Sequence, residues 1–497
     1  MAHQTEDLAA IDLGSNSFHM LIARNVGGQL TLIDRLRERV QLAAGFDEHN
    51  NLTAEAQERG IACLERFGQR LESLEQVRVR AVGTNSLRKA KNARAFLERA
   101  RRALGHRIEI ISGREEARIV YLGVAHNISD DTGRRLVVDI GGGSTECIIG
   151  ERFEARKTES LHMGCVAYTL EFFGDGKIRR ESFRKAVTAA RVELETIQRD
   201  FRTTGWVSAV GSSGTINAIG AILQANGWSD DGITRAGLRT LREHLIEVGR
   251  VSKLSLPGLS AERATVLPGG LAVLLGVFKS LKIERMTTST GALREGLLYD
   301  TIGRNTHEDV RVRTIESMCE RYSVDLEQAQ RVEATALRCL DQVAYAWGLH
   351  HPDLRQQLSW AARLHEIGLA LSYSGNHQHG AYLVANTDMP GFSQHKQAFL
   401  AALIRAHRRR LRPDNFAELR QVGGEEAVYL ALILRLAAAL NRGRDTQPLP
   451  PFTLSAAANT IELQFPHDWL RQRPMTSADL ENEREFLAEA GFHFSAS

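Results

Sequence analysis

The sequence predicts an α/β protein built from two like halves, followed by an all-helical stretch and a small sheet-bearing tail. Three observations lead there. Asp12-Leu-Gly-Ser-Asn-Ser17 and Asp139-Ile-Gly-Gly-Gly-Ser144 repeat one pattern, 127 residues apart and each behind an apolar strand. Strand and helix signals alternate around both copies. Residues 306–440 instead carry helical stripes and almost no strand signal. At 497 residues the chain exceeds a single compact core, which stops growing near roughly 250–300 residues. The expected domains are 1–132, 133–305, 306–445 and 446–497.

The elements follow in order. Leu8–Leu13 reads as a buried strand, with Phe18–Ala23 as its hairpin partner and Gln29–Ile33 as a third strand. Ile61, Leu64, Phe67 and Leu71 form a helical stripe within Thr53–Leu74, with Thr53 as cap. Strand Val77–Val82, a helix from Asn92, strand Ile108–Ile111 and a helix from Gly113 complete the first half. The second half restarts with strand Leu136–Ile140 and its return Thr145–Ile149. Helix Glu181–Phe201, strand Val207–Val210, helix Gly214–Leu223, strand Met286–Ser289 and a helix from Leu293 come next. Further helical stripes are Ala334–Trp347, Leu358–Leu371, Gln397–His407 and Glu425–Leu440. Ile461, Leu463 and Phe465 alternate as in a strand. No proline precedes Pro257, so the first half turns on glycine; polar Gly303–Val312 and Pro-rich Asn441–Pro451 mark boundaries.

Composition narrows the function. With 43% hydrophobic and 25% charged residues, the chain is an ordinary globular protein. Its 63 Lys+Arg against 60 Asp+Glu leave a net +3, so no global field points to nucleic acid, and a polyanion site must be local. Cys63, Cys147, Cys165, Cys319 and Cys339 are widely spaced and odd in number, which argues for reduced thiols and against a disulfide framework or zinc knuckle. No basic-then-apolar leader opens the sequence, and the apolar runs near Leu271–Phe278 and Tyr429–Leu440 fall short of a span. These features point to the cytoplasm, with peripheral contact at the inner face of the membrane left open.

The repeated turn carries the chemistry. Each copy sets an aspartate at a strand end, then a tight turn, then a hydroxyl. Backbone amides in such a turn form an anion nest, and the aspartate can hold a divalent cation beside it. Two facing copies would clamp a phosphate chain, whereas either copy alone is a plain glycine hairpin. Val210-Gly-Ser-Ser-Gly-Thr215 is a third glycine turn opening a helix, an anion site or a simple strand-to-helix turn. In Ser112-Gly-Arg-Glu-Glu116, Ser112 and Glu115 make a capping box. Glu116 is left to accept a proton from, or orient, an attacking water, or merely to complement the helix dipole. Arg88-Lys-Ala-Lys91 with Arg94, and Arg405, His407, Arg408, Arg409, Arg410 and Arg412, are basic runs that either lie in solvent or line a polyanion route. His365-Glu366, near His350, His351, His377 and His379, has Glu where a metal phosphohydrolase helix has Asp, and reads as packed histidine.

At these residues the chain resembles the exopolyphosphatase / guanosine pentaphosphate phosphohydrolase family, within the superfamily of sugar kinases, actin and heat-shock chaperones. The marks are AAIDLGSNSFHMLIAR, GTNSLRKAKNA, IISGREEAR, LVVDIGGGSTECIIG, SLHMGCV, AVGSSGT and TGALREGLLY. The resemblance implies two ribonuclease-H-like domains facing a cleft, followed by an all-α HD-like domain and a small α+β C-terminal domain. It implies Glu116 as catalytic base, Arg88 as a phosphate-contacting arginine, and Asp139 in catalysis. Asn16, Ser17 and Phe18 match its first phosphate loop, and Gly141, Gly142, Gly143, Ser144 and Thr145 its second. Gly211, Ser212 and Gly214 form the third turn. Asp139, Glu146 and Glu116 are the expected magnesium set, with a monovalent cation as an open requirement. A homodimer and a basic conduit in the helical domain are implied as well.

The activity this favours is processive removal of terminal orthophosphate from inorganic polyphosphate, on the strength of HQHGAYLVANTDMPGF and Arg405–Arg412. Hydrolysis of the 5′ γ-phosphate of guanosine pentaphosphate (pppGpp) is the alternative. A sugar kinase would need a carbohydrate pocket that is not readable here. A phosphate-gated scaffold would bind without turnover.

Overall fold

The computed structural model describes residues 5–26, 29–74, 76–128, 133–230, 232–303, 309–410, 413–445, 447–466 and 468–497. Two compact units emerge, Met1–Glu308 and Asp309–Ser497.

Two sheets organise the first unit. One comprises β1 (Thr5–Leu13), β2 (Ser17–Val26), β3 (Gln29–Arg39), β4 (Val77–Gly83) and β5 (Ile108–Ile110), ordered β3-β2-β1-β4-β5. The other comprises β6 (Arg134–Ile140), β7 (Thr145–Glu151), β8 (Glu154–Leu161), β9 (Ser208–Ser212), β10 (Ile233–Thr234) and β11 (Arg285–Thr288), ordered β10-β11-β9-β6-β7-β8. In each, a central strand has two antiparallel neighbours in succession on one side and a parallel strand on the other. The sequence repeat is therefore a structural repeat, with Asp12 and Asp139 near the ends of the two central strands, β1 and β6. Strand β8 carries no apolar run (EARKTESL), and this is why the sequence did not reveal it. Polar β3 likewise continues to Arg39, six residues beyond its apolar start.

The helices of this unit are α1 (Ala54–Glu72), α2 (Asn85–Lys89), α3 (Ala93–Leu104), α4 (Gly113–Ala125), α5 (Cys165–Phe173), α6 (Arg180–Thr204), α7 (Ser213–Ala225), α8 (Arg235–Val248), α9 (Ala261–Ala264), α10 (Leu267–Leu281) and α11 (Leu293–Gly303). Thr53 caps α1 by accepting from Ala56 N at 3.3 Å. Alternation along β1 splits its side chains between two cores. Ala9, Ile11 and Leu13 meet Leu64, Phe67 and Phe96 of α1 and α3, whereas Leu8 and Ala10 face the interior between the sheets. There Val137, Ile148 and Val210 of the second sheet share one core with Ile119, Val120 and Val124 of α4 and Leu297 and Leu298 of α11.

The expected division at 132/133 borders 129–132, which lie outside the described residues, and the halves on either side belong to the first unit. Helix α11 follows the second half in sequence but packs on α4 and β1. The α4–α11 crossing is glycine-tight: a Cβ on Gly296 would lie 1.9 Å from Ile119 O, and one on Gly123 would lie 2.0 Å from Ala292 O.

The second unit contains α12 (Val310–Arg321), α13 (Leu326–Val343), α14 (Pro352–Leu364), α15 (Asn376–Asn386), α16 (Gln394–Ala406), α17 (Pro413–Leu440) and α18 (Pro474–Glu489). The sheet β12 (Thr453–Ala457), β13 (Thr460–Gln464) and β14 (His493–Ala496) closes it. One hydrophobic core runs from Ile315 through Leu430 to Phe494. The expected boundary at 305/306 lies in 304–308, outside the described residues. The Leu358–Leu371 stripe breaks at His365–Glu366, after which Ile367–Ala370 forms a 3-10 turn. Helix α17 kinks at Gly423–Gly424, where Gly424 takes φ +63°. Among the described residues no helix is long and apolar enough to cross a membrane.

Candidate active site

Both repeated turns open onto one cavity of about 360 Å³ in the first unit. Asp12, Gly14, Ser15, Asn16 and Ser17 line it from the first copy, and Asp139, Gly141, Gly142 and Ser144 from the second. The loops touch: a Cβ on Gly142 would come 3.0 Å from Ser15 Cβ, and one on Gly143 would come 2.6 Å from Asn85 Oδ1. A side chain in the second loop would crowd Ser15 of the first copy at Gly142 and Asn85 of α2 at Gly143. The facing arrangement anticipated from the repeat is thus present.

Glu116 enters from the first turn of α4. Ser112 Oγ accepts from Glu115 N at 3.1 Å, which starts the helix and aims the next residue at the cavity. The Glu115 carboxylate is gripped by Arg118 at 2.8 and 2.9 Å. Arg118 also donates to Asp300 of α11 at 2.6 Å, and Asp300 pairs with Arg80. Buried charges this well paired fix α4 against α11 and β4.

Arg88 Nη1 donates to Glu116 Oε2 at 2.8 Å and to Ile111 O at 2.9 Å. It stands behind Glu116 rather than among the cavity-lining residues. Lys89, Lys91 and Arg94 are exposed, as a solvated basic run would be.

Four carboxylates share this desolvated space. Burial, then the charge of Glu116, raises Asp12 to about 7. Burial raises Asp139 to about 7, with Glu116 adding to the rise and a Ser212 hydrogen bond opposing it. Glu146 is pushed well above the carboxylate range by burial, Glu116 and Asp139. Glu116 is raised by burial and restrained by Arg88. A protein spends stability on such a cluster where chemistry needs it.

The expected magnesium set is Asp139, Glu146 and Glu116. Among the described residues no group of three His, Cys, Asp or Glu is arranged to hold a metal, and Glu146 already accepts from Ser160 at 2.8 Å. Asp12 Oδ1, outside that set, is buried with no hydrogen-bond partner. An unsatisfied carboxylate oxygen beside Asp139 fits Mg²⁺, which binds through one or two carboxylates and takes its other ligands from phosphate and water.

Several residues expected to bind phosphate have their side chains occupied elsewhere. Phe18 is fully buried in the α1–α3 core. Thr145 is buried and donates to Met163 O at 2.5 Å. In the third turn, Gly211 lies in β9 and Ser212 Oγ donates to Gly291 O at 2.9 Å. Ser213 and Gly214 instead reach the cavity at the start of α7. Ser213 holds φ +81° with its hydroxyl buried and unpartnered. A Cβ on Gly214 would collide with the Arg263 guanidinium at 1.9 Å, so this glycine admits Arg263 to the helix start.

Sequence reasoning missed His19 and the basic wall. His19 pairs with Asp12 across the β1–β2 hairpin just as Glu146 pairs with Asp139 across β6–β7. The shared seven-residue spacing was the available signal. Burial, then Arg294 and further arginines, pushes His19 far below its ordinary range, so the neutral ring accepts from Arg294 at 2.7 Å. Arg35, Arg37, Arg263 and Arg294 all line the cavity. In the second unit, His365 is buried with Nδ1 2.7 Å from Ala362 O, and Arg444 takes both oxygens of Glu366.

The cavity brings both glycine turns, four buried carboxylates and four arginines together. Residues 21–305 match the Ppx/GppA phosphatase family, and residues 310–484 match Ppx/GppA phosphatase, domain III. A guanosine-5′-triphosphate,3′-diphosphate pyrophosphatase of Aeromonas hydrophila is 42% identical over 99% of this chain and 98% of its own. The protein of that name from Vibrio vulnificus is 41% identical over 97% of each chain. The crystal structure of the Aquifex aeolicus Ppx/GppA family member superposes with a TM-score of 0.52 at 27% identity, covering 61% of this chain and all of that one. An exopolyphosphatase from Cytophaga hutchinsonii, 23% identical with a TM-score of 0.54 over 60% of this chain and 98% of its own, shares the fold. The chain belongs to the Ppx/GppA phosphatase family and is a phosphoanhydride hydrolase.

Proposed function

We propose that this enzyme removes the 5′ γ-phosphate of guanosine pentaphosphate, leaving the tetraphosphate. This replaces the inorganic polyphosphate reading that the basic Arg405–Arg412 stretch suggested. The observation that carries it is full-length likeness, at 41–42% identity, to two proteins named for that nucleotide.

The terminal phosphoryl group enters the cradle between the two repeated loops, where backbone amides of 14–17 and 141–144 meet its oxygens. The start of α7 and Arg294 add positive potential on the same side. Glu116 orients the attacking water in line with the leaving oxygen and accepts its proton, and burial, by raising its pKa, makes it a stronger base than a solvated carboxylate. Arg88 keeps that carboxylate ionised and aimed. Asp12 and Asp139 are the residues that would hold Mg²⁺, which supplies charge neutralisation on the phosphate oxygens when bound. Phosphoryl transfer passes through a loose transition state, so placement and electrostatics provide most of the acceleration. Arg35, Arg37 and Arg263, lining the same cavity, suit the remaining phosphates of the nucleotide.

The test is turnover of guanosine pentaphosphate, GTP and long-chain polyphosphate by the full chain, with and without Mg²⁺. The expected result is a kcat/KM for the pentaphosphate at least tenfold above either competitor. A polyphosphate rate equal to or above it overturns the assignment.

A further inference from the structure

A second basic cavity, of about 540 Å³, lies wholly within the helical unit, lined by His377, Gln378, Arg405, Arg408, Arg409, Arg410, Asp414 and Asn415. Arg412, part of the basic run in the sequence, lies outside the described residues. The volume is that of a small-molecule site.

The charges here are poorly neutralised. Arg410 pairs with Glu489 at 2.8 Å, and Arg405 reaches Glu418 only at 3.5 Å. Neither Arg408 nor Arg409 pairs with a carboxylate among the described residues: Arg408 donates to the neutral Asn376 amide at 3.1 Å, and Arg409 is exposed. A solvated surface run would extend into water, but these side chains share a concavity with buried polar atoms that lack partners. His377 Nδ1, on the lining, is buried without a hydrogen bond, and so is Nδ2 of the adjacent Asn376, which is only 1% exposed. Such atoms cost stability until something fills them.

The 11-residue α15 begins in the same place. Its N-cap, Gly375, offers no side-chain cap, so the first-turn N–H groups and the helix dipole add to the arginines. Unpaired guanidinium groups, orphaned donors and an uncapped helix start all ask for one kind of ligand, a multiply charged oxyanion. Beside them Tyr373 presents an aromatic face that is 74% exposed, with the Arg408 guanidinium carbon 5.7 Å from the ring centroid. An exposed ring adjoining a phosphate-sized basic pocket can stack a base while the arginines hold the phosphates.

We infer that the helical unit carries a second ligand site, for a nucleoside di- or polyphosphate, with phosphates on Arg405, Arg408 and Arg409 at the start of α15 and the base on Tyr373. The site is separate from the catalytic cavity and does not rest on which substrate that cavity takes.

Calorimetric titration of the full-length Glu116→Gln protein, which blocks turnover, with guanosine tetraphosphate tests it. Two classes of binding site are expected. Arg408→Ser with Arg409→Ser in that background should abolish one class and leave the other within twofold. Tyr373→Ala, an exposed change that spares the fold, should weaken that class about tenfold for the nucleotide while leaving inorganic pyrophosphate unaffected. An 8-azidoguanosine diphosphate photoprobe should label the peptide containing Tyr373. Binding that the double variant leaves unchanged, or equal affinity for pyrophosphate with no effect of Tyr373→Ala, overturns the proposal; a single class that the double variant abolishes supports it and counts instead against guanosine nucleotides in the catalytic cavity.

Discussion

Arg88 and Glu116 form a 2.8 Å ion pair at the back of the catalytic cavity, and the same arginine nitrogen is anchored to Ile111 O at 2.9 Å. The arginine thus fixes the Glu116 carboxylate and opposes its protonation. Burial favours the neutral acid, and Arg88 is what opposes it. Glu116→Gln is expected to lower kcat by about 10²–10⁴-fold while nucleotide binding persists. Arg88→Ala should move the acid limb of kcat/KM against pH upward by roughly one unit, because an unpaired buried carboxylate protonates more readily. A pH–rate series on both variants checks this. Unchanged turnover in Glu116→Gln removes it from the mechanism.

Asp12 and Asp139 tie stability to pH with a definite sign. Both rise from 3.8 to about 7 in the folded protein. Between about pH 4 and pH 7 the unfolded chain therefore gives up protons that the folded one retains. These groups favour folding fully below the unfolded value, and that advantage disappears as pH climbs through the folded value. Without Mg²⁺, denaturant midpoints should fall across that window. Asp139→Asn should flatten the slope and raise stability at pH 7 by on the order of 1–2 kcal/mol, while abolishing hydrolysis.

Magnesium should reverse part of this cost. Cation binding favours ionised Asp12 and Asp139, so it must release protons near pH 6.5. Calorimetry in buffers of different ionisation enthalpy counts them, and Asp12→Asn should reduce the count.

Gly296→Ala tests the crossing of α4 and α11. The added methyl would meet Ile119 O at 1.9 Å, a backbone atom that cannot rotate aside. A loss of about 2–4 kcal/mol is expected, together with a fall in kcat as α4 shifts Glu116. Retention of both Tm and kcat would show that the crossing has room.

In the second unit, fully buried Arg435 donates to Glu483 at 2.9 Å and to Ala406 O at 2.7 Å. Arg435→Met leaves Glu483 buried without its partner and should cost roughly 3–5 kcal/mol, whereas pairing it with Glu483→Leu should recover most of that. Chemical denaturation of the two variants measures the difference.

Much of this was legible beforehand. The D-h-G-x-x-S repeat announced two matching sheets because glycine turns after apolar strands are local features, written in adjacent residues. Thr53 and Ser112 marked helix starts for the same reason, and Glu116 stood out once Ser112 and Glu115 were assigned to capping. What the sequence did not show depends on partners distant in sequence. The burial of the Phe18 and Thr145 side chains is one such feature. Polar β8 has no apolar signal and is held by its neighbour β7.

Sequence alone determined the duplicated α/β plan, the helical region after it and the paired glycine turns, since periodicity and turn chemistry act over a few residues. Tertiary structure alone decided that α11 would return to α4, that Asp12 rather than Glu146 would keep a free oxygen, and that His19 would lie neutral beside Arg294. Burial and charge coupling are properties of groups brought together across hundreds of residues, and no local pattern encodes them.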